Sequence, residues 1–473
     1  MKKYIAVDLG ASNGRVIVGN LEKFEVTNRF VTRNELINGS VFWDIVYIYS
    51  EIKKGLKKAF SLYGDEIASI GIDTWGVDYG LLDETGELIG MPYHYRDDRT
   101  DGIMDEVFSV VPQEDVYKAT GIQLMQINTI YQLAAMKKKH PEMLSAARCY
   151  LSIPDLLHYW LTGIKRNEFS HATTTQLYNP TRRDWAWNII DALGLDRKLF
   201  GTLVPSGTVL GNLKPDVAEE LGALEGVAVI ASGSHDTASS VAAVPAEKGE
   251  EYLYISSGTW SLLGTETPEP VISPKTLEYN FTNEGAASGK FRLLKNIMGM
   301  WIQQECLRSW ESKGQTIGFK ELDALTLDEE DFPAFIDPND DRFLKPNSSG
   351  SPMPDRICAY CREHGMEEPK NYGQYMAVIY RGLAKAYAHY IKQLEEVSGR
   401  SFNKLYIIGG GSKNSILNAW TAQEAGIRVS AGPVEATALG NMLVQALSMG
   451  DIASRSEGRA LIRKYQQITD FFA

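Results

Sequence analysis

The chain has 473 residues, 44% hydrophobic and 23% charged, with a formal net charge of −12. That length exceeds one ordinary core and predicts two or three compact domains of the ordinary soluble class. The acidic balance argues against a general nucleic-acid binder, which needs clustered Lys and Arg, but leaves nucleotide binding open, because backbone N–H groups and a metal can hold phosphates locally.

In chain order, the start "MKKYIAVDLG" has too short an apolar run for a signal-peptide core, and no stretch approaches the roughly eighteen apolar residues of a membrane span. A cytoplasmic protein without a membrane segment is expected. Tyr4 to Leu9 is apolar and β-prone, "GASNG" follows, and Val16 to Val18 resumes the pattern, which predicts a β-hairpin with a small-residue turn. Trp43 to Tyr63 carries helical spacing.

"DTWGVDYG" (73–80) reads as a second hairpin. Its alternation puts Asp73, Trp75, Val77 and Tyr79 on one face and Thr74, Gly76, Asp78 and Gly80 on the other, unless a bulge intervenes. Trp75 alone is more often core than sugar platform. "YRDDRT" (95–100) predicts a turn into a helix, where Arg96 either holds a hydroxyl or makes a solvated ion pair. Gln132 to Lys139 is helical in pattern.

"VAVIASGSHDTASSV" (227–241) runs strand, small-residue turn, helix, and "LYIIGGGSKNSILNAW" (405–420) repeats the sequence of elements. "YLYISSGTWSLLGTE" (252–266) repeats the first hairpin. Two element types, each occurring once per half, predict two related lobes, residues 1–245 and 246–473, joined by the polar "VPAEKGEE" (244–251). Tyr372 to Ser398 and Ala438 to Met449 complete the helices, and 326–356, rich in Pro, Asp and Asn, is expected to be a solvated surface insertion. Cys358 and Cys361 form a lone C-x-x-C, too little for a zinc site, and read as half-buried thiols.

The chain contains no G-x-x-x-x-G-K-[ST] phosphate loop. "GGGSKN" (409–414) sits where a dinucleotide fingerprint would, but Asn414 takes its third glycine position. The two hairpin turns, "DLGASNGR" (8–15) and "SSGTW" (256–260), offer backbone N–H groups with hydroxyl or amide side chains, suited to anionic oxygens. Asp8, ending a buried strand, is then placed to hold Mg²⁺ directly or through water; the alternative is an Asp bonding its own turn. Asp236, at a strand-to-helix junction, is either a helix cap or a reactive carboxylate.

"AVDLGASNGR", "GIDTWGVDYGLLD", "GSHDTAS", "SSGTWSLLG" and "IIGGGSKN…GPVEATALGN" occur in this order along nearly the whole chain. Together they resemble the FGGY carbohydrate kinases of the actin-like ATPase superfamily, and the wording around the sugar site is closer to members acting on L-rhamnulose than to glycerol or xylulose kinases. The resemblance implies an α/β fold of two actin-like, ribonuclease H-like lobes with an ATP and sugar cleft that closes on its ligands. It implies phosphate contacts from Ala11, Ser12, Asn13, Gly14 and Arg15 and, in the second lobe, Thr259. Gln304 would lie along the nucleotide and Gly410 would admit adenosine.

Gly80, His235, Asp236, Thr237 and Asn296 would contact the ketose, with Asp236 as general base kept ionised by its position at a helix start. The implied reaction is ATP- and Mg²⁺-dependent phosphorylation of the 1-hydroxyl of L-rhamnulose by a monomer or homodimer. L-fuculose or xylulose is the alternative ketose, and a non-catalytic sugar- or nucleotide-binding regulator the alternative class. Many family members carry a Pro-x-x-Lys signature after the first sugar loop. This chain reads "NTIYQL" (128–133) with Gln132, so no lysine role is carried over.

Overall fold

The computed structural model describes residues 2–344, 346, 347 and 350–473. The chain forms two compact units. The first takes the chain up to Lys248 together with Glu266–Leu293 and Glu435–Gln466; the second takes Gly249–Thr265, Leu294–Val434 and Gln467–Ala473. The first change of unit falls after Lys248, and two later segments return to the first unit. Packing explains one return: the helix Ala436–Ser448 lies against strands of the first unit's sheet.

In the first unit the strands β1 (Lys3–Leu9), β2 (Asn13–Gly19) and β3 (Phe24–Val31) form a meander, followed by helix α1 (Ile45–Tyr63) and strand β4 (Ile67–Thr74). Further on come β5 (Tyr79–Leu82), α2 (Thr129–Lys139), β6 (Cys149–Ser152), α3 (Phe169–Thr174), β7 (Thr208–Asn212), β8 (Ala228–Ala231) and α4 (Asp236–Ala242). The six-stranded sheet has the order β7-β8-β4-β1-β2-β3. β8, β4 and β1 run parallel, which is why "YIAV" and "VAVIA" are unbroken apolar runs: such strands are buried on both faces. α1 starts where Asp44 accepts the Tyr47 N–H at 3.1 Å, and it buries Ile45, Ile48, Ile52, Leu56 and Ala59 at three- and four-residue spacing.

The stretch 73–80 is not a hairpin. β4 ends at Thr74, Val77 adopts a left-handed φ of 68°, and β5 pairs with β6 rather than with β4. Trp75 and Asp78, which strict alternation separates, therefore meet: the Trp75 indole N–H donates to Asp78 Oδ2 at 2.9 Å and the Trp43 indole to the same oxygen at 2.6 Å. The two indoles lie 4.0 Å apart. Trp75 is core, and Asp78 is the acceptor that lets two tryptophans be buried with satisfied N–H groups. Gln132 Nε2 donates to Asp78 Oδ1 at 3.0 Å while its Oε1 accepts from Arg99 at 2.7 Å, a two-way role a lysine cannot fill. Arg99 thus takes the buried position, stacked 3.8 Å over Tyr93, and Arg96 lies against the Tyr95 ring.

The second unit repeats the plan. β9 (Leu253–Ser257) and β10 (Trp260–Thr267) form a hairpin, β11 (Phe291–Met298) follows, then helices α5 (Trp301–Glu311), α6 (Phe319–Asp328), α7 (Met353–Glu363) and α8 (Tyr372–Ser398). β12 (Lys404–Ile408), α9 (Ser415–Ala425) and β13 (Arg428–Ala431) close it, and the strand order β11-β10-β9-β12-β13 mirrors β3-β2-β1-β4-β8. β9, β12 and β13 are parallel, as are β1, β4 and β8. The duplicated topology is what the paired sequence patterns predict.

The insertion 326–356 is not a solvated loop. Phe332, Ala334, Ile336, Phe343 and Met353 are buried, and Gly382 of α8 lies so close that a Cβ there would sit 2.3 Å from the Ile336 carbonyl oxygen. Its apolar residues, spaced between Asp and Pro, form a packed cover on α8; Lys345, Ser348 and Ser349 lie outside the described residues. All four cysteines are free thiols.

Two buried carboxyls give the first unit a pH signature. Burial pushes Asp155 up to about 8, with the charge of Glu168 adding to it, and burial pushes Asp78 up to about 6. The folded chain holds these protons where the unfolded chain, near 4, has released them. Their contribution is fully present below about pH 4 and is lost as pH rises to about 6 for Asp78 and about 8 for Asp155. Urea unfolding at fixed ionic strength is expected to show stability declining over that range, with Asp155→Asn flattening the upper part; an unchanged slope in that variant contradicts the assignment.

Candidate functional site

In the first unit, β1 and its neighbours bring three carboxylates towards one end of the sheet. Asp8 stands opposite Arg15 on β2 and beside Asp73 on β4. Arg15 forms ion pairs with both Asp8 and Glu435. Asp73 is fully buried: Oδ2 accepts from the Asn441 amide and Oδ1 has no partner. Burial, then the charge of Asp8, holds the Asp73 carboxyl well above the usual range. Asp8, Asp73 and Asp236 are close enough that the charge of Asp8 raises both of the others.

The Gly10–Arg15 turn is tied down by its own backbone. The Gly10 N–H donates to the Asn13 carbonyl at 3.0 Å, and Thr32 Oγ1 donates to the Gly10 carbonyl at 2.9 Å. Ala11 and Ser12 are half-buried and Asn13 is exposed. Gly14 is buried where a Cβ would meet the Phe30 ring at 2.5 Å, so its lack of side chain serves packing as well as the turn.

Asp236 is the first residue of α4, with His235 at the cap position. It is therefore not the helix cap, and its Oδ1 accepts from the hydroxyl of its neighbour Thr237 at 3.1 Å. Its carboxyl is surrounded by protein, yet 31% of the side chain remains open. Burial raises it from the ordinary value and Asp8 adds to the rise, outweighing His235 and the N–H of Thr237. Burial and Asp8 thus act against the helix start, and the site makes Asp236 a stronger base than a surface aspartate.

His235 Nε2 lies 3.5 Å from Asp236 Oδ1, and its Nδ1 lies 3.2 Å from both Glu284 Oε2 and Arg292 Nη2. Arg292, with no exposed surface, bonds Glu284 at 3.1 Å. Gly76 stands directly against this histidine, since a Cβ there would meet His235 Nε2 at 3.3 Å. Gly80 does not join the cluster: it pairs with Leu151, and a Cβ there would meet Leu88 and Leu156 at 2.8 and 2.9 Å. Of the two glycines in "GVDYG", the structure brings the first to His235 and buries the second among leucines.

In the second unit, the β9–β10 turn carries Gly258 and Thr259. The Thr259 carbonyl accepts from the N–H groups of Gly299 and Trp301, both at 3.2 Å, which sets the start of α5 and with it Gln304. Gln304 Oε1 is buried with no partner. The triple glycine packs on the same strand end: Gly409 has φ 85° and a Cβ on Gly411 would lie 1.9 Å from Ser257 Oγ, whereas a Cβ on Gly410 would meet no atom of the described residues beyond its chain neighbours within 4 Å. Thr259 and the triple glycine thus lie at one strand end, with Gln304 on the first turn of the helix that the Thr259 carbonyl starts. Asn296 lies half-buried on β11.

Sequence reading did not single out Asp73 as a partner of Asp8, nor Glu284, Arg292 and Glu435. Glu435 and Asn441 fall inside the quoted "GPVEATALGN", so their motif was visible, but ion pairs between residues hundreds of positions apart leave no local periodicity. Among the described residues no three His, Cys, Asp or Glu side chains converge as a ready-made metal cage, and no helix is long and apolar enough to cross a membrane.

Residues 3–243 match the FGGY family of carbohydrate kinases, N-terminal domain, and 253–449 match the C-terminal domain of the same family. The chain is 42% identical to a rhamnulokinase of Oceanobacillus iheyensis, over 97% of this chain and 96% of that one. It is 42% identical to a rhamnulokinase of Halalkalibacterium halodurans, over 98% and 97%. Among solved structures, a ligand-bound xylulose kinase from Lactobacillus acidophilus superposes with a TM-score of 0.81 at 16% identity, covering 100% of this chain and 94% of that one. A glycerol kinase from Plasmodium falciparum with ADP gives 0.78 at 14% identity, over 100% and 94%. The duplicated sheet, the two small-residue turns and these full-length matches agree, and the chain belongs to the FGGY family of carbohydrate kinases and is a sugar kinase with the actin-like ATPase fold.

Proposed function

We propose that the protein phosphorylates the 1-hydroxyl of L-rhamnulose with ATP, giving L-rhamnulose 1-phosphate and ADP, in the cytoplasm. The observation that carries the choice of sugar is the 42% identity, over nearly the full length of both chains, to proteins named rhamnulokinase. The observation that carries the chemistry is Asp236, a partly open carboxylate with a raised pKa between His235 and Thr237. In the transfer, the ketose O1 forms a bond to the γ-phosphorus, the bond from that phosphorus to the β,γ-bridging oxygen breaks, and the O1 proton passes to Asp236.

His235, Thr237 and the second-unit residue Asn296 are assigned to the sugar hydroxyls. Gly76, which abuts His235, is assigned there rather than Gly80. The backbone of Ala11 to Arg15 and Thr259 take the phosphates, Gln304 lies along the nucleotide and Gly410 admits the adenosine. Magnesium fits the donor set: Asp8 and the partnerless Oδ1 of Asp73 are hard oxygen donors on neighbouring strands, and this ion is ordinarily held by one or two carboxylates plus phosphates and water. Held there, it would supply neutralisation of phosphate charge. Arg15 is paired to both Asp8 and Glu435 and so holds the Asp8 carboxylate in place.

A coupled ADP-release assay with ATP and Mg²⁺ against L-rhamnulose, L-fuculose, L-ribulose, L-xylulose and D-xylulose tests the reading. L-rhamnulose is expected to give the highest kcat/KM. Preference for another ketose overturns the sugar assignment, and no stimulation by any ketose overturns the kinase assignment.

A further inference from the structure

The segment Glu168–Thr174, "EFSHATT", is wholly buried although five of its seven residues are polar. Buried polar side chains cost free energy unless bonded, so their partners show what such a segment does. Here the partners are the loops around Asp236. Glu168 Oε2 accepts the Ser234 N–H at 3.2 Å and the Ser170 hydroxyl at 2.6 Å. Ser170 Oγ in turn accepts the His235 N–H at 3.2 Å. His171 Nε2 lies 3.1 Å from the Trp75 carbonyl, and Thr174 Oγ1 accepts the Val77 N–H at 3.2 Å. Thr173 Oγ1 accepts the Gly285 N–H at 2.8 Å, next to Glu284. One short helix therefore fixes the register of three separate segments: 75–77, with its left-handed Val77; 234–235; and 284–285.

We propose that Glu168 is a positioning residue for phosphoryl transfer, acting through Ser234 and the Ser170–His235 link to fix the turn that presents Asp236. The inference rests on the reading of Asp236 as base. Glu168 accepts four donors, the others being the His171 N–H at 3.1 Å and the Ser206 hydroxyl at 2.5 Å, and among the described residues no salt bridge joins it to a cation. A carboxylate is acceptor-only, whereas an amide presents donors to the same neighbours, so Glu168→Gln breaks the set with little change in volume. Ser170→Ala removes the acceptor of the His235 N–H together with one of the four donors to Glu168, and leaves the carboxylate in place with the other three.

The test measures kcat, KM for ATP and for L-rhamnulose, and thermal midpoint for Glu168→Gln and Ser170→Ala, each alone and combined with Asp236→Asn. Misplacing a reacting group by about 1 Å costs on the order of a hundredfold, so kcat is expected to fall roughly tenfold to a hundredfold with KM for ATP unchanged. In the Asp236→Asn background the same substitutions are expected to cause no further loss, because they act through the group already removed. Equal fractional losses in both backgrounds, or an unchanged kcat in Ser170→Ala, overturn the inference. If Glu168→Gln does not fold, Ser170→Ala carries the comparison. Absence of ketose-dependent turnover in the unmodified protein overturns the kinase reading and this inference together, whereas turnover with additive losses overturns this inference alone.

Discussion

Asp236→Asn is expected to fold, to bind L-rhamnulose with near-normal affinity and to lose turnover by a factor of about 10² to 10⁴, the range of general base catalysis. The substitution preserves shape and the acceptor for the Thr237 hydroxyl, so the turn keeps its local bonding. It removes the atom that receives the O1 proton. It also removes one carboxylate from a group in which Asp8 disfavours the charges of both Asp73 and Asp236. Thermal stability is therefore expected to stay level or rise, and the combination of lost kcat with retained stability separates a chemical role from a structural one. Titration calorimetry for the ketose and steady-state kinetics check it; near-normal turnover contradicts the assignment.

Gly440→Ala is expected to have the largest effect on stability of any single added methyl. A Cβ at this position would lie 1.7 Å from the Ser239 carbonyl oxygen and 2.6 Å from its carbonyl carbon. Both are backbone atoms of α4, so no side chain can turn aside. The helix Ala436–Ser448 must retreat from α4 or α4 must shift, and overpacking of this kind costs about 3 kcal/mol or more. α4 begins with Asp236, so residual activity in whatever folds is expected to fall as well. An unfolding free energy from urea titration within about 0.5 kcal/mol of the parent contradicts the packing argument. Gly318→Ala, at a position with no atom within 4 Å of the added carbon, is the matched control and is expected to be tolerated.

Much of the fold was legible because it rests on local pattern. The apolar run before Asp8, the helical spacing of Tyr372 to Ser398 and the repeated strand-turn-helix at 227–241 and 405–420 all fall where the structure puts β1, α8, β8–α4 and β12–α9. What failed were inferences that needed tertiary knowledge. Strict alternation through 73–80 assumed continuous strand, but the Asp78 carboxylate gathers two indole N–H groups and closes a turn instead. Composition made 326–356 look solvated, although its few apolar residues suffice to pack it on α8.

The same division holds for the site. Asp236, His235 and Thr237 are neighbours in sequence and were readable together. Glu284 and Arg292 reach His235 from about fifty residues away, and their ion pair carries no signal in spacing. Gly76 and Gly80 are alike in a string of letters; only the atoms around each tell that one faces His235 and the other faces leucines. For Asp236 the helix start is local and visible, while burial and Asp8, which raise its pKa, come from the folded surroundings.

Whether phosphate reaches O1 of L-rhamnulose is read from ³¹P–¹H correlation spectroscopy of the product. With ATP, Mg²⁺ and L-rhamnulose, one new phosphomonoester resonance coupled to the two C1 protons is expected, formed in step with ADP. Phosphorus coupled to another carbon, or inorganic phosphate as the sole new species, would contradict it.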